Sequence, residues 1–527
     1  MTTLSLASVL AENARRRPGK LALVEGATRL TFGELWQQSL GQAAALVRLG
    51  VQPGDRVALM APNVAEFCRA YYAILAAGGV VVPVHLLLTA EEVAFVLRDS
   101  GARLLIAHAA NAEVAAVAAA EAGMPLVGVG PDTAMSAAPM PGALGRLEEF
   151  AATVDPLPHF VARDAEDPAV VFYTSGTTGR PKGAVLSHLN LVMNATTNAF
   201  DANHTSPDDV ALGALPLFHT FGQTVSMNST WRAGAALVLL PRFHAGQALE
   251  LMVREGVTHF HGVPQMYLAL LEAAKAVPGL PEPQLPKLDL CISGGASLPV
   301  TVLERFNATF GVSICEGYGL SETSPTASVN HPDLGTRAGT VGHAVWGVDV
   351  EIARAELDDR IELLPAGELG EVVVRGHNVF LGYLDNPEAT REALVDGWFR
   401  TGDLGSKDAD GFLSIVDRKK DVVIRGGFNV YPREVEETLL RHPAVAQAAV
   451  IGLPDDVHGE EVCAVLVLDP AVSPAPTAEE IVTWSKEHLA KHKYPRRVEF
   501  TDAFPLGPSH KVLKRELRRQ YQEQGSR

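Results

Sequence analysis

The stretch Tyr173-Thr-Ser-Gly-Thr-Thr-Gly-Arg-Pro-Lys-Gly183 decides how this chain is read. It follows the apolar run Ala169-Val-Val-Phe172, so a buried strand feeds a loop of glycines and hydroxyls. Between Thr174 and Lys182 stand four hydroxyls, two glycines and a lysine. A loop of this kind wraps backbone N–H groups and short donors around phosphate oxygens. Arg180 and Lys182 add positive charge for an anionic ligand. Five residues after Gly176 comes Pro181, where the Walker pattern needs Gly-Lys, so this is a different phosphate loop. An ordinary surface turn needs only one or two such residues. The loop reads as a holder of nucleotide phosphates.

This loop resembles the signature of the adenylate-forming superfamily, which includes acyl- and aryl-CoA synthetases, luciferase and the adenylation domains of peptide synthetases. The resemblance runs almost end to end and is nearest in form to bacterial fatty-acid–CoA ligases. It implies phosphate contacts from Thr174, Ser175, Gly176, Thr177, Thr178, Gly179 and Lys182.

The bulk composition fits that frame. A chain of 527 residues is too long for one core and predicts two to four structural units. Its 47% apolar and 20% charged residues describe an ordinary globular protein. A net charge of −17 argues against a nucleic-acid partner and requires any ATP or CoA site to gather cations locally. Cys68, Cys291, Cys315 and Cys463 form no paired motif, so we expect small core residues in a reducing compartment. The N-terminus lacks the basic start of a signal peptide. The longest apolar stretch, 71–88, is broken by Gly78-Gly79, Pro83 and His85, which predicts a helix, a turn and a strand, not a membrane span. A cytoplasmic protein is expected.

Helical and strand patterns alternate along the first half. Helices are expected at 32–49, 65–77 and 90–99, the last capped by Thr89, with strands at 56–60, 80–84 and 102–107. Further strands are expected at 236–240 and 289–293, and a solvated helix at 111–122. This rhythm predicts an α/β fold of sheets covered by helices. From about Gly339 the texture becomes glycine-punctuated, with short strands at 350–353 and 370–375 that suggest a small β-rich subdomain. The expected domains are 1–416, comprising two sheet-and-helix subdomains and the β-rich one, and a small mobile α+β domain at 422–527. Between them lies Asp417-Arg-Lys-Lys-Asp421, read as a hinge because its charges stay hydrated in either position. The C-terminal domain should contain helices at 432–441 and 477–488 and strands at 446–452 and 462–468.

Other motifs carry the remaining chemistry. In Glu316-Gly-Tyr-Gly-Leu-Ser-Glu-Thr323, expected to follow a strand end at 313–315, Tyr318 offers a flat face for adenine and Ser321 a hydroxyl. Glu322 there is a hard oxygen ligand suited to Mg²⁺. The resemblance implies those three roles and draws Glu316, Gly317 and Gly319 into the nucleotide site. Ser293-Gly-Gly-Ala-Ser-Leu298 ends a strand with two glycines; the resemblance puts Gly295, Ala296 and Ser297 at the adenine and acyl pocket. A simple strand-to-helix turn with Ser297 as cap is compatible with that.

Trp398-Phe-Arg-Thr-Gly-Asp403 is another match, giving Asp403 the ribose diol, Arg418 ribose and phosphate contacts, and Lys420 the hinge. Pro505-Leu-Gly-Pro-Ser-His-Lys511-Val-Leu-Lys-Arg resembles the catalytic-lysine segment and assigns Lys511. His510 replaces the family's usual glycine, and Lys514 and Arg515 are the rival cations. Leu215-Pro-Leu-Phe-His219-Thr-Phe-Gly222 resembles the segment whose histidine, here His219, lies near the acyl carboxylate. Arg425-Gly-Gly-Phe-Asn-Val-Tyr-Pro432 has the CoA-ligase form, in which Gly426 and Gly427 would admit the pantetheine arm. Pro83-Val-His-Leu-Leu-Leu88 departs from the family and has no functional reading.

The resemblance implies an acid–CoA ligase using ATP, Mg²⁺ and coenzyme A, as a monomer or homodimer. Apolar residues around His219 and in His261-Gly-Val-Pro-Gln-Met266 suggest an acid with an uncharged tail. A medium- to long-chain fatty acid leads, followed by an aryl acid or a short dicarboxylate. Transfer to a carrier protein, and a nucleotide-binding protein without catalysis, are the alternatives.

Overall fold

The computed structural model describes residues 3–130, 140–174, 180–275, 285–470, 472–505 and 512–525. Ser175, Gly176, Thr177, Thr178, Gly179, His510 and Lys511 lie outside them. By packing, the chain divides into two units, Met1–Val350 with Val374–Phe399, and Glu351–Val373 with Arg400–Arg527. This differs from the expected division at 417–421. Glu351–Val373 and the stretch from Arg400 onward pack with the C-terminal elements, an affiliation that strand texture alone does not reveal.

The first unit holds two helix-covered sheets, as the alternation predicts. One has eight strands, with parallel Val80–Pro83, Arg56–Met60, Leu104–His108 and Leu126–Val129 at its centre. Pro168–Thr174 and Lys182–Ser187 join it as an antiparallel pair, followed by the short strand Gly382–Tyr383. The other has nine strands; its parallel core runs Ile314–Gly319, Leu290–Ser293, His259–Gly262, Val210–Gly213 and Ala236–Leu239. These strands are near-continuously buried, as expected where helices cover both faces.

Local signals placed most helices. Thr89 caps Ala90–Asp99, accepting from the Glu92 N–H while the Glu92 carboxylate accepts from the Thr89 N–H. The helix Phe32–Arg48 starts with the same box, Thr31 and Glu34. The stretch expected at 111–122 forms Ala112–Ala122, but it is not merely solvated: Ala115, Ala118 and Ala119 are buried in the core beside Val93 and Leu105. Alanines at helical spacing let the backbone approach closely, which polar-versus-apolar counting overlooks. The apolar stretch resolves into Ala65–Ala76, a turn and Val80–Pro83, all buried. Among the described residues no helix is long and apolar enough to cross a membrane. All four cysteines are free and buried.

The second unit contains a five-stranded sheet in the order Phe428–Val430, Val423–Arg425, Gly459–Leu468, Val445–Asp455, with Arg497–Phe500 pairing parallel to Gly459–Leu468. Helices Pro432–Leu439 and Ala478–His488 accompany it, and Val435, Leu439, Val450, Val462 and Ile481 form its core. The α+β reading of this region holds.

Candidate functional site

In the first unit an antiparallel strand pair flanks the stretch expected to hold phosphates. Pro168–Thr174 and Lys182–Ser187 pair antiparallel with Thr174 directly opposite Lys182, so the loop's two ends are held side by side on one sheet face. The Lys182 ammonium lies 5.2 Å from the centre of the Tyr383 ring. The Tyr383 hydroxyl in turn donates to Glu322 Oε1 at 2.9 Å. Burial first, then the neighbouring Glu322 carboxylate, pushes the Tyr383 phenol well above its ordinary pKa, so it stays a donor at neutral pH. Glu322 is buried, and its carbonyl accepts from the Phe380 N–H at 2.9 Å. Its neighbour Ser321 accepts from the Thr220 hydroxyl at 3.1 Å. Thr220 follows His219, whose Nδ1 accepts from the Phe221 N–H at 3.3 Å. Lys182, Glu322, Ser321 and the His219 segment, far apart in sequence, are thus joined through Tyr383 and Thr220.

The second motif is more regular than expected. The strand Ile314–Gly319 continues through Glu316, Gly317, Tyr318 and Gly319 and pairs antiparallel with Thr326–Val329. A Cβ on Gly319 would lie 1.8 Å from the Pro325 carbonyl oxygen, so close backbone approach alone demands glycine there. Glu316 is buried, and its Oε1 accepts from the Leu298 N–H at 3.2 Å, bracing the turn 293–298. In that turn Gly295 and Ala296 are exposed and Ser297 half-buried. Ser297 does not cap the following helix: Val300–Phe310 begins at Pro299, with no side-chain cap. The ring of Phe221 packs against the turn, with Cε1 3.1 Å from where a Gly294 Cβ would stand. His85, from the segment without a functional reading, packs edge-on against Phe218 with ring centroids 4.4 Å apart.

The second unit carries the other predicted residues. Trp398–Lys407 pairs antiparallel with Leu413–Arg418, setting Asp403 opposite Arg418. Arg418 Nε lies 3.3 Å from Asp403 Oδ1, with the carboxylate buried and the guanidinium largely exposed. Lys420 is exposed, yet lost solvation and then Arg418 lower its pKa, with Asp421 opposing. Gly426 and Gly427 have φ of +56° and +82° and form the two-residue turn between Val423–Arg425 and Phe428–Val430. No atom comes within 4 Å of a Gly427 Cβ, so within the protein this glycine is required by its positive φ in the turn. Arg425 is held by Glu461 through two contacts of 2.5 and 2.9 Å. Of the rival cations, Lys514 is committed to Glu436 at 2.7 Å; burial lowers its pKa most, but Glu436 and Asp417 together outweigh it.

The sequence pointed to most of these side chains and missed Tyr383 and Thr220. Thr220 lay inside a quoted motif. Tyr383 had no signal beyond its place in Leu381-Gly-Tyr-Leu384.

Comparison with known proteins agrees with this geometry. Residues 10–384 match the model of the AMP-binding enzyme family, and residues 434–511 match the AMP-binding enzyme C-terminal domain. The chain is 36% identical over 526 residues to a feruloyl-CoA synthase of Amycolatopsis, covering 99% of this chain and 100% of that one. It is also 36% identical over 516 residues to the long-chain-fatty-acid–CoA ligase FadD13 of Mycobacterium tuberculosis, covering 97% and 98%. The crystal structure of ATP-bound MatB from Rhodopseudomonas palustris superposes with a TM-score of 0.88 at 35% identity, covering 98% and 99%. The chain belongs to the AMP-binding enzyme family, the adenylate-forming superfamily whose motifs it carries. Within that family it stands among the acid–thiol ligases.

Proposed function

We propose that the protein joins a carboxylic acid to coenzyme A in two steps through an acyl-adenylate. In the first, a carboxylate oxygen attacks the α-phosphorus of ATP and pyrophosphate leaves. In the second, the CoA sulfur attacks the acyl carbonyl, the thiol proton is lost and AMP leaves. The acid is ionised at neutral pH, so the first step needs no general base; its barrier is repulsion between anions. The observation that carries this reading is the convergence of Lys182, Glu322 and Ser321 through Tyr383 and Thr220.

In this reading Thr174, Ser175, Gly176, Thr177, Thr178, Gly179 and Lys182 hold the β- and γ-phosphates, and Ser321 meets the α-phosphate. Tyr318 stacks on adenine against the turn of Gly295, Ala296 and Ser297, while Asp403 and Arg418 take the ribose. Lys511 supplies the ammonium for adenylate formation, and Lys420 serves as hinge between the steps. Gly426 and Gly427 shape the turn that the pantetheine arm passes, and His219 lies by the acid's carboxylate. Glu322 fits Mg²⁺, being a buried hard-oxygen donor oriented by Tyr383. Bound there with the nucleotide, the ion would supply neutralisation of phosphate charge.

The acid has an uncharged tail, for Leu217, Phe218 and Phe221 surround His219 in sequence. A medium- to long-chain fatty acid is the leading candidate, supported by the likeness to the Mycobacterium ligase. The equal likeness to the feruloyl-CoA synthase supports an aryl acid as the second reading. CoA-dependent AMP release across fatty acids of graded length and a set of aryl acids tests both. AMP release only with a phosphopantetheinylated carrier protein would shift the acceptor away from CoA. No pyrophosphate exchange with any acid would sink the ligase reading.

A further inference from the structure

One buried histidine near the His219 segment is unaccounted for. The strand His259–Gly262 lies inside the nine-stranded sheet, and both His259 and His261 are buried. His259 is committed, its Nε2 standing 3.6 Å from Asp209 Oδ1. His261 has Nδ1 3.2 Å from the Ser226 hydroxyl, and its buried Nε2 has no partner among the described residues. A buried polar atom left unmade costs about 1–3 kcal/mol, so such an atom calls for a partner, whether water or a ligand.

Its position says what that is. His261 is registered opposite Ile292 on the neighbouring strand, and laterally paired residues share a sheet face. Phe221 packs on Ile292 from the same side. Phe221 and Ser226 both belong to the π-helical segment Phe221–Asn228, about one turn apart, so one helix face covers Ile292 and His261 together. Thr220, the residue before this segment, bonds Ser321. From Thr220 to Ser226 the helix rises at most about 9 Å, using the α-helical rise as an upper bound. That is the span of a ring-bearing or short-chain acid reaching inward from the site where its carboxylate would react.

Resting on the ligase reading above, we propose that His261 Nε2 forms the inner end of the acid-binding pocket and selects acids carrying a hydroxyl at the end remote from the carboxylate. Burial, with His259 beside it, pulls the His261 pKa down to about 3, so the ring is neutral and offers no charge to a second carboxylate. The Ser226 contact leaves Nε2 as either donor or acceptor according to tautomer. A hydroxyl, which both donates and accepts, satisfies either case.

The test measures CoA-dependent AMP release by the full chain with two matched pairs, 4-hydroxycinnamate against cinnamate and 12-hydroxydodecanoate against dodecanoate. The wild type should favour the hydroxylated member of one pair in kcat/KM by about 100-fold or more, because a site built to bond a hydroxyl rejects the analogue without it. The favoured pair then reports whether the body of the acid is aromatic or aliphatic. His261→Leu should reduce that preference to less than about threefold while retaining turnover of the plain acid, and His261→Gln should keep part of it. Turnover without preference in the wild type, or a preference that survives His261→Leu, overturns the proposal and leaves water at Nε2, with the ligase reading intact. If His261→Leu shows no cooperative thermal transition, an undiminished preference in folded His261→Gln and Ser226→Ala overturns it instead, and a reduced one supports it. Absence of both AMP release and pyrophosphate exchange with every acid tried removes the ligase reading and this proposal together.

Discussion

The Tyr383 hydroxyl donates to Glu322 Oε1 at 2.9 Å while the same ring lies 5.2 Å from the Lys182 ammonium. One aromatic side chain therefore contacts both the acidic and the basic member of the proposed nucleotide site. Tyr383→Phe keeps the ring and removes the hydrogen bond. We expect the Mg²⁺ concentration for half-maximal ATP–pyrophosphate exchange to rise about tenfold, since a hydrogen bond to a charged group contributes about 1.5–3 kcal/mol. Excess Mg²⁺ should restore much of the rate. An unchanged Mg²⁺ requirement would show that Tyr383 serves packing alone.

The Asp403–Arg418 pair separates binding from folding. The guanidinium is largely exposed, so Arg418→Met should lower stability by less than about 1 kcal/mol. The KM for ATP should nevertheless rise about tenfold if the side chain meets ribose and phosphate. Chemical denaturation and steady-state kinetics on one preparation check both.

Lys511 and Lys514 should fail in different ways. Lys511→Ala should abolish adenylate formation yet leave thioester formation from supplied acyl-AMP largely intact. Lys514 is tied to Glu436 at 2.7 Å, so Lys514→Ala should cost about 1–3 kcal/mol of stability and spare the chemistry of folded molecules. The reverse pattern would exchange their assignments.

Gly427 has open space around it but a φ of +82°. Gly427→Ala should strain the turn by about 1–2 kcal/mol. Thioester formation should slow while pyrophosphate exchange is kept; equal slowing of both would detach this turn from the CoA step.

His188 should make stability acid-sensitive. Its ring is fully buried, Nδ1 accepts from the Leu6 N–H at 3.0 Å, and burial, then Arg163, pulls its pKa down to about 4. The folded protein thus resists a proton that the unfolded chain accepts from about pH 6.5 downward. Stability should fall as pH drops from about 6.5 to 4 and no further from this group below that. His188→Gln should flatten that slope in urea titrations at successive pH values.

Where the sequence was informative, physics acts over short range. The apolar run before Thr174, the helix cap at Thr89 and the glycine-interrupted stretch 71–88 each depend on neighbours a few residues away, and each is found as expected. Tyr383 was invisible because its partner Glu322 is 61 positions distant. The packing affiliation of Glu351–Val373 was equally hidden, since strand pairing is decided by ladders and not by composition. At Gly426 and Gly427 the sequence showed small residues, and the dihedrals add that a two-residue turn requires them.

The bond from the Leu298 N–H to Glu316 matters to anyone wishing to re-tailor this enzyme. It ties the turn 293–298, proposed to lie beside the acid, to the strand that carries Tyr318, so the two cannot be redesigned separately. A loop transplanted into 293–298 must offer an amide at the same spot or strip a sequestered carboxylate of one of its hydrogen bonds. If that loop lines the acid as proposed, changing its side chains is the gentler route to a new specificity.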